Sequence, residues 1–228
     1  FQPIALSPVS PLGTNSAVAP VEQNWTVTTA RNTEVVSDST NVLALECSLR
    51  RRKILKVDPQ SSKPVHLATS HRLLRAQQYK GTKSVVHFST FALCSAGRDG
   101  GNLQFELATL QVHISFYLTS LRAFLGQGVP LHLSITDFDS THPIALIQRQ
   151  LFTAIRSEFE DIDCAPDEHR TSGRGYYSNL CFHIHATAPS GQKLELVDGG
   201  VVNWTQKLLS NTKERLIISG IGSERLCA

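Results

Sequence analysis

The 228-residue chain contains no methionine, not even at position 1. That leaves two readings, a piece of a longer protein or a sequence from which modified residues were dropped. Cysteine is sparse: Cys47, Cys94, Cys164, Cys181 and Cys227 are far apart and odd in number, with no CxxC pair. This excludes a disulfide framework and a zinc ribbon, and the simplest expectation is a reduced, cytoplasmic chain. No apolar run reaches the length of a membrane span, so no membrane partner is expected. There is no internal repeat. With no secretory leader in these residues, the two Asn-Trp-Thr sites at Asn24 and Asn203 are not read as glycosylated. Charge is also modest: 18% of residues are charged and the net charge is +3, a weak case for a nucleic-acid surface. The one basic run, Arg50, Arg51, Arg52 and Lys53, reads as a solvated helix end suited to the macrodipole.

What is present suits one domain spanning residues 1–228. Its 41% hydrophobic content is enough for a sizeable core. Residues 1–24, rich in Pro, Ser, Gly and Asn, predict extended chain and turns. "WTVTTA" predicts a strand. Asp38, Ser39 and Thr40 cap a predicted helix with Val42, Leu45 and Leu49 on one stripe. A polar loop follows at 56–64, then strands in "VHLATSHRLLRAQ" and at 85–97. Leu107, Leu110, Ile114, Leu118, Leu121 and Leu125 recur at helical spacing, and Gly126 ends that helix. "VPLHLSITDF" predicts a strand, and Pro143 opens a helix carrying Ile144, Ile147, Leu151 and Ile155. Residues 160–173 read as a polar connection. "YYSNLCFHIHATA" and "QKLELVDGG" read as a hairpin, "VVNWTQKLLSN" as a short helix and "RLIISG" as the last strand before the helix start "IGSERL". Late strands joined by hairpins, with helices between some of them, favour an α+β fold, a mostly antiparallel sheet flanked by helices.

Three short pieces carry candidate chemistry. "GIGSERL" puts Arg225 behind a Gly-x-Gly step; as an isolated feature it needs no more than a strand-to-helix turn. "SHRLLRAQQYKG" puts Arg72 and Arg75 at a strand end before a loop with Lys80, Gly81 and Lys83. That is a cationic hairpin root able to hold phosphate, or a solvated hairpin. "GRGYYSNLCF" places Tyr176 and Tyr177 at the start of a strand, pointing to opposite faces, one toward a pocket or into the core.

In this order the pieces resemble the catalytic core of a class II aminoacyl-tRNA synthetase, in the branch of histidyl-tRNA synthetase and the regulatory subunit of ATP phosphoribosyltransferase. "SPVSPLGTNS" is similar to the first motif at the dimer interface, and "VVSDSTNVLALE" to R-P-[ED]-x-T. "HRLLRAQ", "KG" and "HFSTFAL" resemble the second motif, F-R-x-E with its loop and returning strand, and "FELATL" the helix start after it. "GRGYYSNLCF" is similar to R-G-x-D-Y-Y, "LVDGGVVNWTQKLL" to G-G-R-Y-D-x-L, and "GIGSERL" to the third motif, G-x-G-x-x-R-L.

The resemblance implies ATP, with Mg²⁺ as a candidate companion, and an amino acid or similar carboxylate as ligands. It places Arg72 on the α-phosphate and substrate carboxylate, Arg225 on adenine and the γ-phosphate, and Arg75 beside the nucleotide. Gly220 and Gly222 would let backbone approach the nucleotide. Asp38 and Thr40 would hold the α-amino group, and Thr90, Arg174, Tyr176 and Tyr177 would line the side-chain pocket. It also implies a homodimer. The chain departs from the pattern in several places. Leu74 stands at the second motif's Glu, Val36 and Val201 at two arginines, Ser172 at a third with Arg174 close by, and Thr90 near a specificity glutamine. The chain ends at the third motif with no anticodon-binding domain, so tRNA is not expected as an ordinary acceptor and a protein partner or another acyl acceptor is the candidate. Three readings follow: an acyl-adenylate-forming enzyme, a non-catalytic amino-acid sensor or regulatory subunit, and a structural dimer. No Ser/His/Asp triad emerges from spacing. Cys181, His183 and His185 share a strand face, with His87 or His113 as completing ligands. Successive residues on that face are about 6–7 Å apart, too far for one ion without bending, so no metal site is expected.

Overall fold

The computed structural model describes residues 1–77, 86–139 and 144–226, the side chains of Ile144, Gln148 and Arg225 apart. The chain opens with β1 (Gln2–Pro3), β2 (Val9–Pro11), α1 (Thr14–Val18) and a 3-10 turn at Gln23–Trp25, followed by β3 (Thr28–Thr29) and β4 (Thr33–Val35). Then come α2 (Ser39–Val57), β5 (Val65–Leu74), β6 (His87–Arg98), α3 (Gln104–Leu125) and β7 (Leu131–Asp137). A helical stretch runs as α4 (Ile144–Ile147), a π-turn (Gln148–Phe152) and α5 (Thr153–Glu158) into β8 (Asp163–Pro166). The last elements are β9 (Leu180–Thr187), β10 (Lys193–Val202), α6 (Trp204–Leu209), β11 (Glu214–Gly222) and α7 (Ser223–Leu226).

The main sheet has the order β1-β5-β6-β11-β10-β9-β7-β8. It is antiparallel except at its two edges, where β1 pairs with β5 and β8 with β7 in parallel. The expected mostly antiparallel α+β architecture is therefore present. Four local expectations fail. The stripe expected on α2, Val42, Leu45 and Leu49, is not its buried face: Leu49 is exposed and the helix turns Leu43, Ala44 and Cys47 to the sheet, because the sheet contact and not the local spacing sets its rotation. Residues 1–24 hold a helix and a 3-10 turn because the buried Glu34 carboxylate gathers backbone donors there. It accepts from Gly13 and Asn15 main-chain N–H and from the Asn15 and Gln23 side chains. Burial alone would raise its pKa, but these hydrogen bonds outweigh that and hold it below the usual carboxylate value. The stretch 160–173 contains β8, whose buried Cys164 pairs with Leu133. The expected strand at 25–30 shrinks to Thr28–Thr29.

Each face of the sheet carries its own core. On one face the α3 stripe Leu107, Leu110, Ile114, Leu118 and Leu121 packs on Leu133, Phe182, Ile184 and Ile217, with α5 beside it through Ile155. Each such side chain contributes roughly 1.5–3 kcal/mol on burial. On the other face Leu43, Ala44 and Cys47 of α2 and Trp204 of α6 cover Ala92, Cys94, Leu216 and Ile218. Between sheet and α3 lies a polar chain in which His113 links Ser95 Oγ at 2.8 Å to Ser219 Oγ at 2.7 Å. Cys47, Cys94, Cys164 and Cys181 are buried, unbridged thiols. Among the described residues no helix is long and apolar enough to cross a membrane.

The basic run is not simply a solvated helix end. Arg51 is fully buried and forms a two-pronged pair with Glu214 at the start of β11, both distances 2.8 Å. It also donates to the Lys63 and Ser61 carbonyls. The other three keep the expected surface character: Arg50 is paired with Glu46 one turn away, and Arg52 and Lys53 are exposed.

Arg51→Ala or Glu214→Gln should each cost about 3–5 kcal/mol, because each leaves a buried charge unpaired. Arg50→Ala should cost less than about 1 kcal/mol. Urea unfolding of the three variants measures both. Acid should also weaken the fold. Burial, with a contribution from His66, lowers the His113 pKa from 6.5 to about 3. The unfolded chain gains a proton near the ordinary value that the folded chain refuses, so this stability is present above that value and lost as pH falls toward about 3. The slope is up to about 1.4 kcal/mol per pH unit for this group. His113→Gln should flatten that part of the pH profile in urea titrations.

Candidate functional site

The N-terminus of α2, the end of β5, the middle of β6 and β11 and the turn before β9 enclose a cavity of about 630 Å³. Asp38 caps α2: its Oδ1 accepts from the Thr40 N–H at 2.9 Å and the Thr40 hydroxyl at 2.7 Å. Its Oδ2 accepts from the Tyr176 hydroxyl at 3.2 Å and lies 3.6 Å from an Arg75 Nη. Burial, then the Asp38 charge, raises the Tyr176 pKa, so the phenol stays protonated and donates. Arg75 is steadied from behind by the Ser37 carbonyl at 3.1 Å and by the Phe88 ring, 5.4 Å from its guanidinium carbon. Ser39 Oγ and Thr90 Oγ1, 3.0 Å apart, join α2 to β6 at the cavity floor.

The opposite wall is built by the turn at 171–179. Gly173 has φ +83°, and a Cβ there would fall 2.9 Å from the Tyr177 ring and 3.2 Å from Arg170. The turn therefore requires glycine. It directs Tyr176 and Tyr177 into the same cavity, rings 5.1 Å apart and edge to face. The expected opposition of the two tyrosines fails because β9 begins only at Leu180. Tyr177 is hydrogen-bonded to Asp198, which also lines the cavity. Arg170, almost fully buried, pairs with Asp198 at 2.9 Å.

Asp38, Thr40, Arg75, Thr90, Tyr176, Tyr177 and Gly220 thus converge. Others do not. Arg72 alternates with the inward Leu73, so it emerges on the other side of β5. There its Nε donates to His87 Nε2 at 2.9 Å. Arg174 turns away to the Phe138 carbonyl at 3.1 Å and the Phe138 ring. Gly222 is held in the β11–β6 ladder opposite Thr90 and is not part of the wall. Arg225 belongs to α7, with its side chain outside the described residues, as are Lys80, Gly81 and Lys83. The F-R-x-E pattern fits again three residues later, as Leu74-Arg75-Ala76-Gln77, and both Arg75 and Gln77 face the cavity. In that register glutamine, not leucine, stands at the acidic position. Sequence reading missed Asp198 and Gln77; the Asp before Gly199-Gly200 and the Arg-x-[EQ] match at Arg75-Ala76-Gln77 were the available signals.

The glycines divide by purpose. A Cβ on Gly200 would approach the Leu180 carbonyl oxygen to 2.6 Å, and one on Gly199 the Ile218 oxygen to 2.8 Å, so this pair is required by close strand packing. A Cβ on Gly220 would meet only the Phe91 oxygen, at 3.7 Å. Gly220 lies within β11, not in a turn. The sheet tolerates a side chain there, which would project at the cavity.

The expected absence of a metal site is at odds with one cluster. Donor atoms of His183, His185 and Glu195 lie within 4.8 Å of one another. The strand-spacing argument concerned backbone positions, whereas two imidazoles can lean together and a facing strand supplies the third group. Cys181 takes no part, and His113 is on the other face of the sheet, packed under α3. His87 is occupied with Arg72.

No family model matches the sequence, and a comparison with curated proteins also returns no match. Solved structures do match. The apo histidyl-tRNA synthetase of S. aureus superposes with TM-score 0.70 at 14% identity, covering 100% of this chain and 59% of that one. The ATP phosphoribosyltransferase regulatory subunit/histidyl-tRNA synthetase of Bacillus halodurans C gives 0.68 at 12%, covering 99% and 73%. The RNA binding domain of threonyl-tRNA synthetase from Cryptosporidium parvum Iowa II gives 0.64 at 12%, covering 100% and 58%. The chain therefore has a class II synthetase-type fold. It spans under two thirds of the first and third of these proteins.

Gly220→Val should leave urea stability within about 1 kcal/mol of the parent, while Gly200→Val should lose more than about 2 kcal/mol. Equal losses would show that the sheet, not the cavity, requires glycine at 220.

Proposed function

We propose that the cavity binds an amino acid or similar carboxylate together with ATP, and that the protein forms an acyl-adenylate. One observation carries this reading: the Arg75 guanidinium and the Asp38 carboxylate stand 3.6 Å apart on one wall, at the N-terminus of α2. A zwitterion needs such a cation for its carboxylate and an anion for its ammonium group. Asp38, Thr40 and the Tyr176 hydroxyl form the acceptor side. Asp198, joined to Tyr177, extends it toward the substrate side chain.

Room for a nucleotide is supported by Gly220, whose missing side chain leaves that stretch of β11 open to the cavity. Arg75 would face the α-phosphate as well as the carboxylate, and a cation already held by Ser37 and Phe88 meets developing negative charge without reorganising. Arg225 on α7 is assigned the far end of the nucleotide. Mg²⁺ would arrive with the phosphates rather than in a protein cage. The synthetase-type fold supports a homodimer as the working assembly.

A second reading, an amino-acid-sensing or regulatory protein without catalysis, is favoured by a specific substitution. Gln77 puts a neutral amide where the motif has a carboxylate, and the buried Val36 and Val201 replace two arginines.

ATP–pyrophosphate exchange across the amino acids, with thermal stabilisation measured in parallel, separates the two. Exchange with a particular amino acid is the expected outcome. Arg75→Ala should lower exchange by about 10²–10³-fold. Asp38→Asn should raise the amino-acid KM roughly tenfold or more, and Gly220→Val should lose both ligands while folded. Binding without exchange would favour the sensor. Binding of neither ligand would end both readings and leave the structural dimer. Acyl transfer is then assayed to tRNA and to protein acceptors alike.

A further inference from the structure

Beyond the cavity, the β10-β9-β7-β8 end of the sheet carries a second group of polar side chains. His183 and His185 share a face of β9 by the two-residue period. Glu195 lies opposite His185 and Asp198 opposite His183 on β10. In a regular strand, residues 195 and 198 would point to opposite faces. The register shift between Glu195 and Val197 changes that. The extra residue, Leu196, turns into the apolar core, so that both carboxylates come out on the histidine face. His183 Nε2 then lies 3.5 Å from Glu195 Oε2 and 3.4 Å from Asp198 Oδ1. The two imidazoles stand edge to face with centroids 5.3 Å apart.

We propose that His183, His185 and Glu195 form a binding site for a zinc-like divalent transition-metal ion, with a fourth position open to water. Two imidazoles and one carboxylate are a donor set that suits Zn²⁺, and the three donor atoms already lie within 4.8 Å of one another. A second observation points to a ligand. His185 Nδ1 is buried and has no hydrogen-bond partner, in a half-buried ring where an unsatisfied nitrogen is costly. Outer partners are in place. Asp198 faces His183, and the His132 ring, itself bound to Asp163, lies 6.3 Å from that of His185. A cavity of about 360 Å³ bordered by His132, Asp167, His169, His185 and Lys193 opens beside the cluster and gives water and ions access.

The site shares Asp198 with the wall of the larger cavity, so a cation bound here would compete with Arg170 for that carboxylate. It does not depend on what the larger cavity binds.

The test uses the full chain, stripped with chelator and titrated calorimetrically with zinc chloride, and in parallel loaded with Co²⁺ for its visible spectrum. Stoichiometric zinc binding is expected, weakened at least about tenfold by Glu195→Gln and by His185→Gln and changed less than about twofold by His169→Ala. The Co²⁺ complex of the unaltered chain should show intense tetrahedral ligand-field bands with no thiolate charge transfer, a readout that needs no variant to fold. Zinc affinity unchanged in both ligand variants, an octahedral Co²⁺ spectrum or a thiolate band would each overturn the proposal.

Discussion

The Arg51–Glu214 pair sets the geometry on which the site depends. It clamps the C-terminal part of α2 to the first residue of β11, so helix and strand run in opposite directions over the same ground. From Arg51 back to Ser39 the helix rises about 18 Å. From Glu214 to Gly220 the strand advances about 20 Å. The near match brings the capped end of α2 alongside Gly220, where Ser39 meets Thr90 and the cavity forms. A guanidinium with its fixed fork suits this task because both charges are fully desolvated and it donates to two carbonyls besides the carboxylate.

The two faces of the sheet are used differently. One is closed by α3 and α5 over a continuous apolar layer. The other is only partly roofed by α2 and α6. Where the roof stops, Asp198 of β10 lines the cavity, and beyond it His183 and His185 of β9 meet Glu195. Asp198 belongs to both, hydrogen-bonded to Tyr177 on one side and close to His183 on the other. The histidine cluster comes from residues of β9 and β10 and from a single bulge at Leu196.

Much of the architecture was legible because it follows local rules. The α3 stripe, the Asp38 cap and the β9–β10 hairpin are written in spacing and side-chain chemistry, and so was the α+β class. The order of weak motifs put Tyr176, Tyr177, Asp38 and Thr90 in one group, and all four line one cavity. β8 was missed because its short run sits among charged residues and is made a strand by pairing with β7. The basic run was misread because nothing local distinguishes Arg51 from Arg50; only Glu214, distant in sequence, makes one buried and the other solvated.

Arg72 and Arg75 mark the limit of sequence reading most clearly. Arg72 follows His71 and Arg75 follows Leu74, and the same motif can be laid on either. Strand parity, set by the pairing of β5 with β6, turns Arg72 to the His87 side and leaves Arg75 with the cavity. Composition and periodicity by themselves determined the class of fold, the main helices and strands and the residue types on offer for binding. Which arginine faces the cavity, which glycine is structural and whether two histidines and a glutamate meet were decided by register and by a bulge. Those are relations between strands distant in sequence, and side-chain direction inverts with a shift of one residue.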